Sequence, residues 1–364
     1  MKRMKKSVGL VTIYDNYNIG NRLQNYAGEQ ILSEYFKNVC TLTLAPAPYA
    51  AMEEKKYIFH KATGFRFCRS KEYWQKEFAK KRLFTQFNNE HLHVVRLNSV
   101  KEANSAADVF AVGSDQVWNP VWLEDEPEKR SLYQLAFADP DKRICLSPSI
   151  GLSEFPEKWS AEYTEQFMKY KMLGCREQEG ADLLEKMTGK PAVCTIDPTL
   201  MLSASDWRKI SKKPVWFKKQ DKPLLLSFFI GGMSKRASAD CSAVADKYGF
   251  SVLNMPSPYE ETYHITGPAE FIWLIDHADM IITDSFHASV FSFLMNKPFL
   301  AYPRNDDMPD MSSRFKTLFE ITGTTDRFIT DKLPADPAEA DYSGAEKRLQ
   351  LKQKEFKEFL EKSI

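Results

Sequence analysis

One repeated unit constrains this chain more than any other feature: a short apolar run, a polar turn, then a helical pattern. Repetition of that unit builds parallel sheets covered by helices, an α/β fold, because a parallel neighbour is reached only through a crossover. Val8–Tyr14 reads as the first strand, Asn16–Gly20 as its turn and Arg22–Phe36 as its helix, with Leu23, Tyr26, Ala27, Ile31 and Leu32 at helical spacing. Strands are expected next at Asp108–Val112, Arg143–Pro148, Met172–Cys175 and Ala192–Ile196, and helices at Glu162–Tyr170 and Gly180–Met187. Lys212–Pro223 carries Lys and Pro and little apolar periodicity, so it reads as a link. Beyond it the unit resumes, with strands at Leu224–Ile230, Ser251–Met255, Met280–Thr283 and Pro298–Tyr302. Helices are expected at Lys235–Lys247, Pro268–His277 and Ser285–Met295, the last apolar nearly all round and therefore buried. The expected domains are residues 1–211 with an insertion at about 50–90, residues 212–340, and a charged terminal helix within 341–364.

A length of 364 residues accommodates two cores. Lys and Arg number 50 against 49 Asp and Glu, which gives no case for general nucleic-acid binding. No run approaches the roughly 18 apolar residues of a membrane span, and Val8–Ile13 is too short for the apolar part of a signal peptide. The 6 cysteines are scattered and form no CxxC pair, so they read as reduced thiols and the expected location is cytoplasmic. One segment departs from the balance. Lys55–Arg82 holds ten Lys or Arg and two Asp or Glu, interleaved with aromatic residues. It reads as a helical insertion with a solvated basic face. The sharper alternative is a surface for anionic headgroups or a lipid-linked acceptor, which would place the protein at the inner membrane surface.

Ligands of open α/β sheets collect at the carboxyl ends of strands. Four polar clusters stand there. Asn16–Gln24, with Asn21 and Gln24, opens the first helix, whose N-terminus suits an anion and where Gly20 permits close approach; a plain capped turn is the alternative. Gly113–Pro120 supplies Ser114, Asp115, Gln116 and Trp118, groups that suit a sugar's hydroxyls and apolar face, and Asp115 has the chemistry of a general base. Gly174–Gly180 holds Arg176, which either grips carboxylate or phosphate or forms a structural ion pair with Glu177 or another acid. Thr283–Ala288 places His287 between a buried strand and a buried helix, with Asp284 either to orient it or to cap the helix. His91 and His93 alternate on an expected strand, but no third metal ligand is near, and no metal site is assigned.

In order, G-S-D-Q-V-W-N, S-I-G at Ser149–Gly151, R-E at Arg176–Glu177, D-P-T-L at Asp197–Leu200 and the run Gly267–Ala288 resemble the polysaccharide pyruvyl transferase family over roughly Val8–Leu318. The resemblance implies a GT-B-like fold of two Rossmann-like domains with the active site between them. It implies phosphoenolpyruvate as donor, a glycan or lipid-linked sugar as acceptor, and a cyclic pyruvate ketal as product, as in exopolysaccharide synthesis. The family's acid, arginine and histidine fall on Asp115, Arg176 and His287. Several members carry R-L-H-G where this chain has Ser285-Phe286-His287-Ala288. Another cation must then meet the donor, and Arg304, Arg314 or the helix N-terminus at Ser285 are the candidates.

The expected mechanism has Arg176, with Arg304 or Arg314, holding the donor, while His287 protonates the enol methylene and Asp115 deprotonates the attacking hydroxyl. It uses no metal and no cofactor beyond phosphoenolpyruvate as co-substrate. Two rivals remain at this stage. A glycosyltransferase with a nucleotide-sugar donor would use Glu270 for the ribose. A non-catalytic sugar-binding protein would account for Ser285 in place of arginine.

Overall fold

A computed structural model of the chain describes residues 5–15, 18–45, 71–219, 221–255, 265–305 and 313–364. In the first half the strands are β1 (Lys5–Val11), β2 (Phe36–Leu44), β3 (Val94–Leu97), β4 (Val109–Val112) and β5 (Arg143–Cys145). They form one parallel sheet in the order β3-β2-β1-β4-β5. That order, with its reversal between β1 and β4, is the Rossmann pattern and leaves a crevice at the strands' carboxyl ends. A parallel pair, β6 (Leu173–Cys175) and β7 (Ala192–Cys194), continues beside β5, where Arg176 N–H donates to the Pro148 carbonyl at 3.0 Å. The second half holds a parallel sheet in the order β11-β10-β8-β9, from β8 (Leu224–Phe228), β9 (Ser251–Met255), β10 (Met280–Thr283) and β11 (Phe299–Ala301). Parallel sheets flanked by helices are thus present in both halves, as the repeated unit requires.

Helix α1 (Ile19–Ser33) covers the first sheet. Its Gly28 lies against Leu10 and Leu146, so closely that a Cβ there would stand 2.9 Å from Leu10 Cδ2. The helix stops at Ser33, three residues before its expected end, because the Glu34 and Tyr35 amides turn back onto Ile31 and Leu32. Phe36 therefore begins β2, a strand the sequence reading overlooked. Helix α2 (Lys71–His91) takes in the described part of the basic segment, Lys71–Arg82; the rest of that segment lies outside the described residues. His91 closes this helix instead of lying on a strand, and packs against Tyr26 and Phe87. His93 pairs with Glu29 at 3.3 Å. His91 thus ends a helix and His93 lies in the link before β3, and the two do not share a strand face.

Short α3 (Pro127–Tyr133) precedes β5, and α4 (Glu157–Met168) begins directly after Pro156. Then come α5 (Gln178–Thr188), α6 (Ala204–Lys209), α7 (Lys235–Tyr248), α8 (Pro268–His277), α9 (Phe286–Leu294) and α10 (Ser313–Thr322). Helix α9 is buried on every side, as its composition requires, and packs Phe291 against Trp207 of α6. One apolar core therefore continues from the first sheet into the second. The terminal helix α11 (Ala345–Ser363) leaves the second half and returns to the first. It rests beside α10, its Gln353 donates to the Leu200 carbonyl, and its Phe359 seats against Gly174. Among the described residues no helix is long and apolar enough to cross a membrane.

Candidate functional site

The loop after β4 begins the site. Gly113 has φ +123°, and a Cβ there would meet the Leu146 carbonyl oxygen at 2.2 Å, so only glycine fits. Asp115 also takes a positive φ, 66°, a conformation that carbon-branched residues avoid and that clusters at functional sites. Two side chains fix this turn from below. Gln24 Oε1 accepts from Ser114 N–H at 2.8 Å, and Thr12 Oγ1 donates to the Ser114 carbonyl at 3.1 Å. Gln24 Nε2 in turn donates to Thr12 Oγ1 at 2.7 Å.

Above the turn lies a buried charge network. Arg176, at the end of β6, donates through Nη1 to Asp197 Oδ2 at 2.7 Å and through Nη2 to Asp115 Oδ1 at 3.0 Å. Its Nε is 3.7 Å from Glu177 Oε2. Asp197 comes from the loop after β7, where it caps a 3-10 turn that opens with Pro198. Its Oδ1 accepts from Thr199 N–H at 2.9 Å and Thr199 Oγ1 at 2.6 Å, and its Oδ2 from Ser114 Oγ at 3.3 Å. Glu177 Oε1 accepts from Ser149 Oγ and from the amides of Ile150 and Gly151, which ties the S-I-G turn to the arginine. Buried charges persist only when paired and hydrogen-bonded in this way.

The second half contributes His287, in the first turn of α9. Its Nε2 is 3.7 Å from Asp197 Oδ2, and the residue is nearly buried. On its other side Nδ1 faces Gly20 at the start of α1, so closely that a Cβ on Gly20 would fall 2.2 Å away. The ring is thus held between two elements of the first half. Burial would raise the pKa of Asp197, but His287 and then Arg176, with Thr199 donating, hold it well below the usual carboxylate range. Burial likewise works against the Arg176 charge, and Asp115, Asp197 and Glu177 overcome it, raising its pKa above the usual value. Phe286 has two guanidiniums near its ring centre, Arg176 at 5.4 Å and Arg314 at 5.6 Å. Burial first, then the charge of Arg176, pushes Arg314 down to about 10, with Arg304 adding to the effect while Asp115 and Glu177 oppose it. Arg304 and Arg314 therefore stand in the same electrostatic field as Arg176.

The structure brings Ser114, Asp115, Arg176, His287 and Arg314 into one constellation. Other expected ligand residues do different work. Trp118 is fully buried, packs against Phe167 and Tyr170 and donates Nε1–H to the Tyr133 carbonyl, so it is a core residue and not a sugar platform. Gln24 is likewise fully buried, and its amide positions Ser114 instead of meeting an acceptor. Asn21 donates Nδ2–H to Asp15 at 3.0 Å, and Gln116 lies against Gly151. Ser285 Oγ caps α9 through Ala288 N–H, which engages one of the amides expected for the donor. Glu270 accepts from Gly267 N–H, capping its own helix. Asp284 accepts from the amides of Ile230 and Gly231 after β8 and does not orient His287. Asp197 is the residue that sequence reasoning passed over as a participant.

This geometry unites the ordered motifs of the sequence at one point, and comparison with known sequences places it. The sequence model of the polysaccharide pyruvyl transferase family matches residues 18–306. The chain belongs to that family. No curated protein sequence matches it significantly. Solved structures that it is similar to include the UDP-GlcNAc 2-epimerase from Neisseria meningitidis bound to UDP-GlcNAc, at 12% identity and TM-score 0.46, covering 98% of this chain and 93% of that one. A putative UDP-N-acetylglucosamine 2-epimerase from Listeria monocytogenes is 11% identical, with TM-score 0.48 and coverage of 99% and 90%. A Streptomyces glycosyltransferase complexed with thymidine diphosphate is 10% identical, with TM-score 0.39 and coverage of 96% of each chain.

Proposed function

We propose that this pyruvyl transferase family member moves the pyruvyl-derived group of phosphoenolpyruvate onto sugar hydroxyls of a glycan or lipid-linked saccharide, in the cytoplasm. The observation that carries the proposal is the meeting of His287 with the Asp197–Arg176–Asp115 network across the two halves. An ionised Asp197 lies where a protonated imidazole needs its counter-charge. His287 gives its proton to the methylene carbon of the enol, which becomes a methyl group. The central carbon, now electron-poor, is attacked by a sugar oxygen whose proton passes to Asp115. The bond from that carbon to the phosphate oxygen breaks, phosphate leaves, and a second hydroxyl closes the ketal, its proton leaving with phosphate. Proton transfer by a positioned group contributes about 10²–10⁴-fold. Arg176, with Arg304 or Arg314, supplies charge for the donor's phosphate and carboxylate, Arg176 being held in place by Asp115 and Asp197.

Thermal stability measured with phosphoenolpyruvate, UDP-sugars and GDP-sugars in parallel tests the donor. A ligand bound only by the native state raises the midpoint with the logarithm of its concentration. A shift with phosphoenolpyruvate that disappears in Arg314→Ala supports the reading. A shift with a nucleotide sugar alone refutes it. His287→Ala is expected to remain folded and to release no phosphate, and substantial turnover in a folded variant would overturn its role as acid.

A further inference from the structure

The segment between the two sheets plays no part in the site. Residues 211–223 contain Lys212, Lys213, Lys218, Lys219 and Lys222, with Asp221 as their one acid. Lys212 is tied to Glu90 of α2, which holds one end of the segment in place. A tight turn follows, closed by Phe217 N–H donating to the Pro214 carbonyl at 3.0 Å. At its tip Val215 is 103% exposed, whereas no other described large hydrophobic residue exceeds 56%. A single exposed valine is ordinary, but this one stands on an aromatic base. Trp216 donates its indole N–H to the Ile265 carbonyl at 2.6 Å. Phe217 meets Trp273 edge-on at 4.9 Å, and Trp273 stacks on His277 at 3.8 Å. Lys213 Nζ lies 5.9 and 5.8 Å from the Phe217 and Trp273 rings, while Lys213, Lys219 and Lys222 are exposed.

We infer that this turn docks onto an anionic phospholipid bilayer. An apolar tip, a collar of half-buried aromatic rings and a skirt of lysines match the layers of such a surface. Val215 enters the boundary between headgroups and acyl chains. Trp216 and Phe217 lie at headgroup level, where amphipathic rings are favoured. The lysines meet the phosphates, their stems lying along the apolar tip. The ring contacts and the Glu90 tie hold the turn in shape before binding, so little order has to be gained at the membrane. The surface is distinct in sequence from the 55–82 segment and takes no part in the transfer chemistry, and its binding is read without substrate.

The test is sedimentation of the full chain with vesicles of phosphatidylcholine containing phosphatidylglycerol, and with phosphatidylcholine vesicles alone. The expected result is partition onto the anionic vesicles that weakens as salt rises. Val215→Ser should weaken it about tenfold, the effect of withholding one valine side chain from an apolar layer. Lys213→Gln with Lys219→Gln should weaken it about 25-fold, at about fivefold per lysine. Both variants alter exposed residues, and their melting midpoints should match the parent. No partition, equal partition onto neutral vesicles, or unchanged partition of both variants would overturn the inference, the last by assigning the membrane to another surface. Self-association lost in Val215→Ser without any vesicle binding would also overturn it, in favour of a second copy of the chain.

Discussion

Replacing Gly20 with alanine places one methyl group where the imidazole of His287 now sits. The added carbon would lie 2.2 Å from Nδ1, 2.7 Å from Cγ and 2.9 Å from Cε1, whereas ordinary contact begins at 3.4 Å. The obstacle is a ring nearly buried at the start of α9, a helix packed on every side, and it cannot swing into solvent. Either the ring tilts or the second half draws back, and both move Nε2 relative to Asp197 by about 1 Å. A misplacement of that size in a reacting group costs about 10²-fold in rate. Stability responds differently. Gly20 lies within α1, where alanine is favoured over glycine by up to about 1 kcal/mol, which offsets part of the contact cost. The assay pairs phosphate release from phosphoenolpyruvate with a thermal melt. A midpoint within a few degrees of the parent is expected beside a kcat reduced about 100-fold. Parental kcat in Gly20→Ala would refute the positioning of His287 against the first half.

Asp197→Asn removes the counter-charge shared by Arg176 and His287. Breaking a buried pair on one side costs about 3–5 kcal/mol, to be read by denaturant unfolding. Because the folded pKa of Asp197 is depressed, its contribution is present above the ordinary aspartate value and is lost as pH falls through the folded value. The stability gap between parent and variant should therefore be full at neutral pH and close in strong acid; a gap independent of pH would contradict the ionised state. Trp118→Ala should cost about 3–5 kcal/mol of stability as a core truncation, and a variant that kept parental stability while acceptor KM rose would restore it as a sugar contact.

Much of the fold was legible because apolar runs bounded by turn residues carry their own period. Ser251–Met255, Pro268–His277 and Met280–Thr283 have the bounds expected of them. Strand β2 was not legible. Its first residue, Phe36, continues the helical spacing of α1, and only backbone bonds at Glu34 and Tyr35 end the helix there. The site divides in the same way. Asp115, Arg176 and His287 stand at strand ends, where position alone marks them. Trp118 and Gln24 stand at strand ends or helix starts too, but whether a side chain there turns to the ligand or to the core depends on partners far away in sequence. Trp118 found Tyr133, and Gln24 found Thr12 and Ser114. Asp197 was visible as part of D-P-T-L, yet nothing local says that an acid before a proline will face an arginine 21 residues back and a histidine 90 residues on.

The path of α11 has a mechanical consequence. The chain passes between its halves once near residues 211–223 and again as α11 returns, with Phe359 seated on Gly174 of the half where the chain began. Two crossings and one continuous apolar core hold the second half against the first, so the spacing between His287 and Asp197 is shared out over the whole contact and not left to a single joint.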